Sequence, residues 1–265
     1  MKRARVAAIS ALIAVLTVAF ASPAFIPHRY DEQYRDHAGE PPSRAFLLGT
    51  DDLGRDRLSR LAFATRLSVT LACGAAALSV VLGLAAAALS LSILNKPLGV
   101  ATTICLSLPW MFVFIILRGM LPLNTSAAVS IGLTFAVMGV AGWAIPGRVF
   151  AAAVAECRAS EWVMHARASG LSETRIWTVH LWPHIRAIAW AQFRALVPAY
   201  ILGEAGLGLL GLGVAEPATS LGNLITELQH TGSIQASPWI LAPLVVLATI
   251  TTSIELLGGR AEMVA

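Results

Sequence analysis

The sequence predicts an all-α membrane protein with six transmembrane helices, and three observations support this fold class. Of its 265 residues, 57% are hydrophobic and only 13% are charged. The mean hydropathy of +0.72 lies well above that of an ordinary soluble domain. Several uncharged apolar stretches also reach the roughly 20 residues that a helix needs to cross a bilayer.

The six predicted spans follow one another along most of the chain. Five contain no Asp, Glu, Lys or Arg and cover residues 6–25, 67–95, 97–117, 119–147 and 228–254. The sixth, residues 187–213, is the weakest by hydropathy because it contains Arg194 and Glu204. Arg194 lies nearer the inner face, where its side chain is expected to reach the lipid headgroups.

The amino-terminal sequence predicts the orientation of the chain. Lys2, Arg3 and Arg5 precede the first span, and such basic residues favour the cytoplasmic side. Six spans return the carboxyl terminus to the same side, so both termini are expected to be cytoplasmic. Alternatively, residues 6–25 form a cleavable signal, because this run ends in the small-residue sequence AFASPA. Its apolar core is longer than that of a typical signal, which favours a span.

The segment between the first two spans is strongly charged but neutral. Residues 27–66 contain seven Arg and seven Asp or Glu, so we expect a solvated surface with ion pairs. The net charge of +4 is therefore no argument for a nucleic-acid partner. Thr50 or Asp51 is expected to cap a short helix that follows, and Asp56 to pair with Arg60 one turn later.

A second charged segment, ECRASEWVMHARASGLSETRIWTVHLWPHI, lies between the fourth and fifth predicted spans. Ser160 is a favourable N-cap, and Glu161 falls in the first turn of the following helix. Gly170 is expected to end that helix, and Ser172 to cap a second one that Pro183 stops. Two interpretations are open: the pair lies on the headgroups, or its first helix docks into a groove of a soluble partner.

The chain lacks the usual motifs of enzymes and nucleotide-binding proteins. No phosphate-binding GxxxxGK[ST] sequence occurs, so any ATP must be hydrolysed by another subunit. Gly206, Gly208 and Gly211 fit GxGxxG but lie in an apolar segment without a preceding strand. The sequence TDDLGRD lacks the ligand spacing of a calcium loop. We therefore predict no catalytic residue, metal or cofactor on this chain.

Three segments resemble one family. Residues 161–183, EWVMHARASGLSETRIWTVHLWP, resemble the cytoplasmic EAA loop of ABC importer permeases. Residues 47–61, LLGTDDLGRDRLSRL, resemble the signature that precedes the second span in C-type subunits of the dipeptide, oligopeptide and nickel subfamily. Residues 203–225, GEAGLGLLGLGVAEPATSLGNLI, resemble the glycine-rich segment between the fifth and sixth spans of that subfamily.

This resemblance implies a type I ABC importer permease in the inner membrane. The first transmembrane helix would occupy residues 1–26 and an extracytoplasmic loop residues 27–66. The permease core would be residues 67–265, including a cytoplasmic coupling loop at 148–186.

The coupling loop would insert into a groove of an ATPase subunit, with residues 164–172 as the coupling helix. The residues expected to couple to the ATPase are Glu161, Met164, His165, Ala166, Arg167, Gly170, Leu171, Ser172 and Pro183. One departure concerns Met164, His165 and Ala166, because the family usually has Glu-Ala-Ala there. Glu161, one turn earlier on the same helix, is the alternative acidic group.

Two further sets of residues are candidates for function. The candidates for the translocation path or its gate are Glu204, Gly206, Gly208 and Gly211. Structural pairing of Glu204 across a permease dimer is the alternative for that residue. The outer loop is expected to be a landing surface for a binding protein, with a helix on the membrane surface as the alternative, and its outer-face signature is Gly49, Thr50, Asp51, Asp52, Gly54, Arg55 and Asp56.

The implied function is ATP-driven import. The implied partners are a second homologous permease subunit, one or two ATPase subunits that bind ATP and Mg²⁺, and an extracytoplasmic substrate-binding protein. Short peptides are the expected cargo, with nickel chelates and other small solutes as alternatives. An ion-coupled secondary transporter is the rival class, for which Glu204 is the only deeply placed carboxylate.

Overall fold

The computed structural model describes residues 2–90, 95–120, 126–213, 218–230 and 238–258. Within these ranges the regular elements are helices and no strand is formed. The α-helices are α1 (Lys2–Phe25), α2 (Arg57–Leu89), α3 (Asn95–Ser107), α4 (Trp110–Met120), α5 (Ala127–Ala141), α6 (Ala144–Ala159), α7 (Glu161–Ala168), α8 (Glu173–Arg175), α9 (Trp182–Leu209), α10 (Leu221–His230) and α11 (Ala242–Gly258).

Four helical segments in the described ranges are long and apolar enough to cross a membrane. They are Arg5–Phe25, Arg57–Leu89, Val129–Ala159 and Pro238–Gly258. Each overlaps a span that the sequence predicts, so the prediction of an all-α, multi-pass membrane protein is confirmed.

The other two predicted spans take a different form. Residues 97–117 are divided between α3 and α4, because Pro109 has no amide hydrogen and disfavours helical geometry at Leu108. Residues 187–213 fall largely within α9, which is long enough to span but carries Arg186, Arg194 and Glu204.

Two predicted boundaries are also wrong. The span predicted at 119–147 is replaced by α5 and α6, which follow one another across Gly142 and continue to Ala159. Its first residues belong to α4, and residues 121–125 lie outside the described part of the chain. The span predicted at 228–254 begins in the last turn of α10 and resumes in the 3₁₀-helix Pro238–Leu241 and α11. Residues 231–237 between them lie outside the described ranges.

Helix α2 is the centre of the packing and contacts α5, α6 and α9. Its buried face is rich in small side chains, including Ala64, Ala72 and Ala76, which are essentially inaccessible to solvent. Small residues allow helices in membranes to approach closely. At the tightest point, a Cβ atom on Gly83 would lie 2.8 Å from the backbone nitrogen of Gly147 in α6. Helix α1 packs at the periphery, against α11 and α2.

The predicted short helix in the outer segment is not a separate element. The sequence after TDDLGRD forms the first turns of α2, which therefore begins at Arg57, inside the predicted loop. Its N-cap is Asp56 rather than Thr50 or Asp51, because the Asp56 carboxylate accepts hydrogen bonds from the amides of Leu58 and Ser59. The regular helix within residues 26–56 is a single 3₁₀ turn, Arg35–His37.

A buried ion-pair network connects the outer segment to α10. Asp51 accepts hydrogen bonds from Arg55 Nε at 2.7 Å and from Arg60 Nη1 at 2.5 Å. Arg60 Nη2 also lies 2.6 Å from Glu227 Oε1. Arg60 therefore pairs with Asp51 and Glu227 instead of the predicted Asp56. Sequence reasoning assigned neither of these carboxylates to it. Such a network cannot be found from helical spacing, because Asp51 lies outside α2 and Glu227 is far along the chain.

The outer-face signature is mostly buried, contrary to the prediction of a solvated surface. Of its seven residues only Asp52 is exposed. A Cβ atom on Gly54 would lie 2.1 Å from the carbonyl oxygen of Tyr34, and Gly49 is similarly close to Glu40. Both glycines have positive φ, so they also relieve backbone strain. The signature therefore holds the outer segment onto α2, and the exposed ion pairs lie at Arg29–Asp31 and His37–Glu40.

Protonation of Asp51 is expected to loosen this segment. Burial raises the pKa of Asp51, but hydrogen bonds from Arg55 and the charge of Arg60 outweigh it and hold the pKa below its usual value. A carboxylate with a lowered folded pKa stabilises the protein above its unfolded pKa, about 3.9, and this stabilisation is lost as the pH falls through the folded value. We expect Asp51→Asn to lower the free energy of unfolding by about 1.5–3 kcal/mol at pH 7.

Unfolding of the purified chain between pH 3 and pH 7 tests this. The difference between wild type and Asp51→Asn should begin to shrink near pH 4, where the carboxyl of the unfolded chain takes up a proton, and should shrink further as the pH falls through the lowered folded pKa. The exposed neighbour provides the control, because Asp52→Asn should have little effect at any pH. A difference that stays constant into the acid range would contradict the assignment.

Candidate functional site

The inner loop forms a compact helical hairpin at one end of the molecule. Helix α6 ends at Ala159, and Ser160 has the extended backbone of an N-cap before α7. Its hydroxyl does not cap α7, because it donates to the carbonyl of Cys157 instead. Glu161 occupies the first turn, where a negative charge interacts favourably with the helix dipole. The predicted start of the helix is confirmed, but the predicted capping by the Ser160 side chain is wrong.

Gly170 ends α7, as predicted. Its φ is +77°, which an L side chain rarely adopts. The amide of Gly170 donates to the carbonyl of Arg167 at 2.9 Å, and the amide of Leu171 donates to that of Ala166 at 3.2 Å. These two bonds are the Schellman arrangement that closes a helix. The helix thus covers Glu161–Ala168, so it includes only the first part of the segment 164–172 in which the resemblance implies a coupling helix.

The predicted coupling residues divide between two faces of α7. Ala166 is buried, together with Val163, in the hydrophobic core of the chain. Met164, His165 and Arg167 are exposed on the opposite side, as is Glu161. Trp162 is 43% exposed and Met164 53% exposed, so the outer face is partly apolar. Ala166 therefore anchors the helix, and a partner would meet the Met164 and His165 side.

A residue that sequence reasoning missed, Glu173, joins the parts of this hairpin. Its carboxylate lies 3.0 Å from Arg158 Nη2 at the end of α6 and 2.7 Å from Arg167 Nε in α7. The hydrogen bond from Arg167, with the charge of Arg158, lowers the pKa of Glu173. The spacing of these residues fits no helical pattern, because the contacts form only when the chain folds back at Gly170.

The second helix of the loop does not stop at Pro183. Ser172 caps α8 by accepting from the amide of Arg175, but α8 continues through a π-helix, Ile176–Leu181, directly into α9. At this junction the amide of Trp182 donates to the carbonyl of Trp177. Pro183 is accommodated because it directly follows this π-helical turn, where the hydrogen bonding changes from the π-helical to the α-helical pattern. The hairpin is therefore continuous with α9.

Glu204 lies near the other end of α9 and is fully buried. Its carboxylate accepts hydrogen bonds from Ser68 Oγ in α2 at 3.3 Å and from Ser220 Oγ at 2.5 Å. The amide of Gly222 in the first turn of α10 also donates to it, at 3.3 Å. Ser68 Oγ in turn accepts from the amide of Leu221. The carboxylate thus lies at the positive end of α10 and connects three helices.

This arrangement bears on the two interpretations of Glu204. The hydrogen bonds to Glu204 described above lie within the chain, and sequence reasoning did not identify these partners. Gly208 makes these bonds possible, since a Cβ atom there would lie 2.6 Å from the backbone of Gly222. Pairing across a permease dimer stays a prediction. The role of Glu204 in a path or gate stays a prediction.

The remaining glycines of the segment have separate local roles. Gly211 has a φ of +73° and ends α9. Its amide donates to the carbonyl of Gly208, and the amide of Leu212 donates to the carbonyl of Leu207. Gly206 faces an apolar cleft of about 380 Å³ between α4, α5, α6 and α9. The cleft is lined by Phe114, Met138, Ile145, Leu196, Ala199, Tyr200, Gly203, Gly206, Leu207 and Leu210.

Arg194 contacts the end of another helix. Its Nη1 donates to the carbonyl of Leu257 at 3.3 Å, in the last turn of α11. A cation at this position interacts favourably with the negative end of a helix, so Arg194 caps α11, and its contact with the headgroups stays a prediction. In the described part of the chain, no group of three or more His, Cys, Asp or Glu is placed to hold a metal ion.

The fold and the inner hairpin agree with a family of membrane transport components. Residues 79–260 match the binding-protein-dependent transport system inner membrane components, and the chain belongs to this family. The resemblance found in the sequence is thereby confirmed.

Curated relatives extend the similarity over nearly the whole chain. The chain is 30% identical over 260 residues to the oligopeptide transport system permease protein OppC of Mycobacterium tuberculosis (strain H37Rv), covering 97% of this chain and 87% of the relative. It is 32% identical over 244 residues to OppC of Escherichia coli K12, covering 90% and 78%. It is 30% identical over 267 residues to the dipeptide transport system permease protein DppC of Haemophilus influenzae, covering 95% and 87%.

Proposed function

We propose that this chain is the permease subunit of an ATP-driven importer and forms half of a translocation path for short peptides. The observation that carries the proposal is the inner hairpin, whose partly apolar face at Trp162, Met164 and His165 is exposed while its base is anchored in the core. Peptides are the proposed cargo because the relatives named above are oligopeptide and dipeptide permeases.

In the proposed arrangement the chain crosses the membrane six times with both termini in the cytoplasm. Helix α9 and the α3–α4 region supply the two spans beyond the four apolar segments. The hairpin then lies on the cytoplasmic side and inserts into a groove of an ATPase subunit. ATP and Mg²⁺ bind to that partner, and this chain holds no nucleotide itself.

Movement of the ATPase would be transmitted through α9. The ion pairs of Glu173 with Arg158 and Arg167 make the hairpin move with the end of α6. Residues 173–209 form one continuous helical run. Near its far end, the Glu204 carboxylate accepts hydrogen bonds from Ser68 in α2 and from Ser220, which directly precedes α10. A rigid helix shifts as a unit, so displacement of α7 would reach the outer half of the bundle.

The remaining partners are proposed from the same architecture. A second, homologous permease would face the apolar cleft beside Gly206 and complete the path. A substrate-binding protein would land on the outer segment, where Asp52 is the exposed residue of the signature and the neighbouring Leu53 is exposed as well. Because Met164 and His165 stand where the family usually has Glu-Ala, the ATPase groove is expected to accept an apolar contact there.

An ion-coupled secondary transporter is not favoured. The family is one of binding-protein-dependent transport. The Glu204 carboxylate that a coupling ion would need is also occupied by three donors within the chain.

Affinity purification from native membranes, followed by reconstitution, tests the proposed function. We expect an ATPase subunit and a second permease to co-purify with the tagged chain, and labelled peptide to enter proteoliposomes only with binding protein and ATP. Uptake driven by a proton or sodium gradient without any ATPase would contradict the proposal.

A further inference from the structure

A second cleft, of about 380 Å³, lies between α1, α2 and the first residues of the outer segment. Ile26 and Phe63 form its apolar wall, Arg29 and Tyr30 come from the outer segment, and Arg66 comes from α2. The uses proposed above for the hairpin, the apolar cleft and the outer-face signature do not involve it.

The lengths of the helices place this cleft at the edge of the bilayer. Helix α2 has 33 residues and is about 50 Å long, whereas the hydrocarbon core is about 30 Å thick. Its uncharged part begins directly after Arg66, so the turns before it extend beyond the hydrocarbon. Helix α1 ends at Phe25 on the same side. Arg66 therefore lies at the level of the headgroups.

The cleft combines a flat apolar wall with an available cation. Tyr30 stacks on Phe63 with ring centroids 3.8 Å apart and an interplanar angle of 9°. The guanidinium of Arg66 lies over the Phe63 ring, 5.6 Å from its centroid. Arg66 makes no ion pair with any residue in the described part of the chain. Arg29, by contrast, is held by two 3.1 Å hydrogen bonds to Asp31.

We propose that this cleft binds one anionic phospholipid from the leaflet on the side of the outer segment. The phosphate would lie against Arg66, with Arg29 at the rim, and the glycerol end of the acyl chains would lie along Ile26 and Phe63. A small soluble anion would contact the cation but not the apolar wall, whereas a phospholipid has a phosphate that contacts the cation and acyl chains that contact the wall. Aromatic side chains at this depth are also typical of membrane interfaces.

Native mass spectrometry of the full chain, released from phosphatidylglycerol or phosphatidylcholine nanodiscs, tests the proposal. We expect one retained phosphatidylglycerol and an apparent affinity that falls about fivefold in Arg66→Gln, since one cation near the surface contributes on the order of 1 kcal/mol. Arg66→Lys should keep most of the binding. Arg44→Gln removes the same charge from an exposed site outside the cleft and should bind as wild type does.

Three results would overturn the proposal. Arg66→Gln could retain as much phosphatidylglycerol as the wild type at equal thermal stability. Phosphatidylcholine could bind as tightly as phosphatidylglycerol, which would remove the role of charge. Finally, millimolar glycerol phosphate could displace the lipid from the cleft, which would indicate a site for small anions.

Discussion

Replacement of Gly170 by Arg is expected to detach the ATPase while the membrane domain stays folded. The residue has a φ of +77°, and the left-handed conformation costs an L residue roughly 1–2 kcal/mol. Nothing lies within 4 Å of its missing Cβ, so the effect comes from the backbone and from the added side chain rather than from a clash. If the undocked hairpin relieves this strain by leaving the left-handed conformation, docking must restore it, which corresponds to up to a roughly 5–30-fold loss, and the bulky cation on the exposed surface increases the loss.

The chain offers a matched control for this substitution. Gly39 has a φ of +70° and equally open surroundings, but it lies in the outer segment. Gly39→Arg should therefore impose similar strain and leave the amount of co-purified ATPase unchanged. Gly170→Asn should be close to the wild type, because Asn tolerates the left-handed region. If Gly170→Arg retained the ATPase as well as Gly39→Arg does, the end of α7 would have no role in docking.

Replacement of Glu204 by Leu is expected to lower the free energy of unfolding by about 3 kcal/mol or more. The substitution leaves three buried donors, on Ser68, Ser220 and Gly222, without their acceptor. Each buried donor without a partner costs about 1–3 kcal/mol, and only the two hydroxyls can turn to other acceptors. Glu204→Gln should be milder, since one amide oxygen still accepts.

Denaturant unfolding of the purified chain measures this effect. Glu255 in α11 provides the control, because it is exposed and Glu255→Leu should change little. A double-mutant cycle with Ser68→Ala should be non-additive, since both residues belong to one network. Equal effects of Glu204→Leu and Glu255→Leu would mean that the contacts around Glu204 do not stabilise the fold.

The parts of the site that depend on local sequence could be predicted. The start of α7 at Glu161 and its end at Gly170 could be predicted because helix ends are decided within a few residues, although the Ser160 hydroxyl does not cap the helix. The all-helical membrane fold likewise follows from apolar runs. The family follows from three motifs in the right order.

The parts that depend on distant contacts could not be predicted. Glu204 is held by Ser68, 136 residues earlier, and no spacing rule connects the two. Arg60 has a carboxylate one turn before it, yet it pairs with Asp51 and Glu227 after folding brings them together. Pro183 is compatible with a continuous helix only because a π-helix precedes it. These exceptions arise where tertiary packing outweighs local preference.

The most direct test of the coupling hairpin is crosslinking from position 165 in native membranes. His165 is exposed on the outer side of α7, and His165→Cys should be labelled by thiol reagents only from the cytoplasmic side. A short bifunctional crosslinker at that cysteine should capture the ATPase subunit, and Gly170→Arg should reduce the yield. Labelling from the extracytoplasmic side, or crosslinks that never contain an ATPase, would contradict the account.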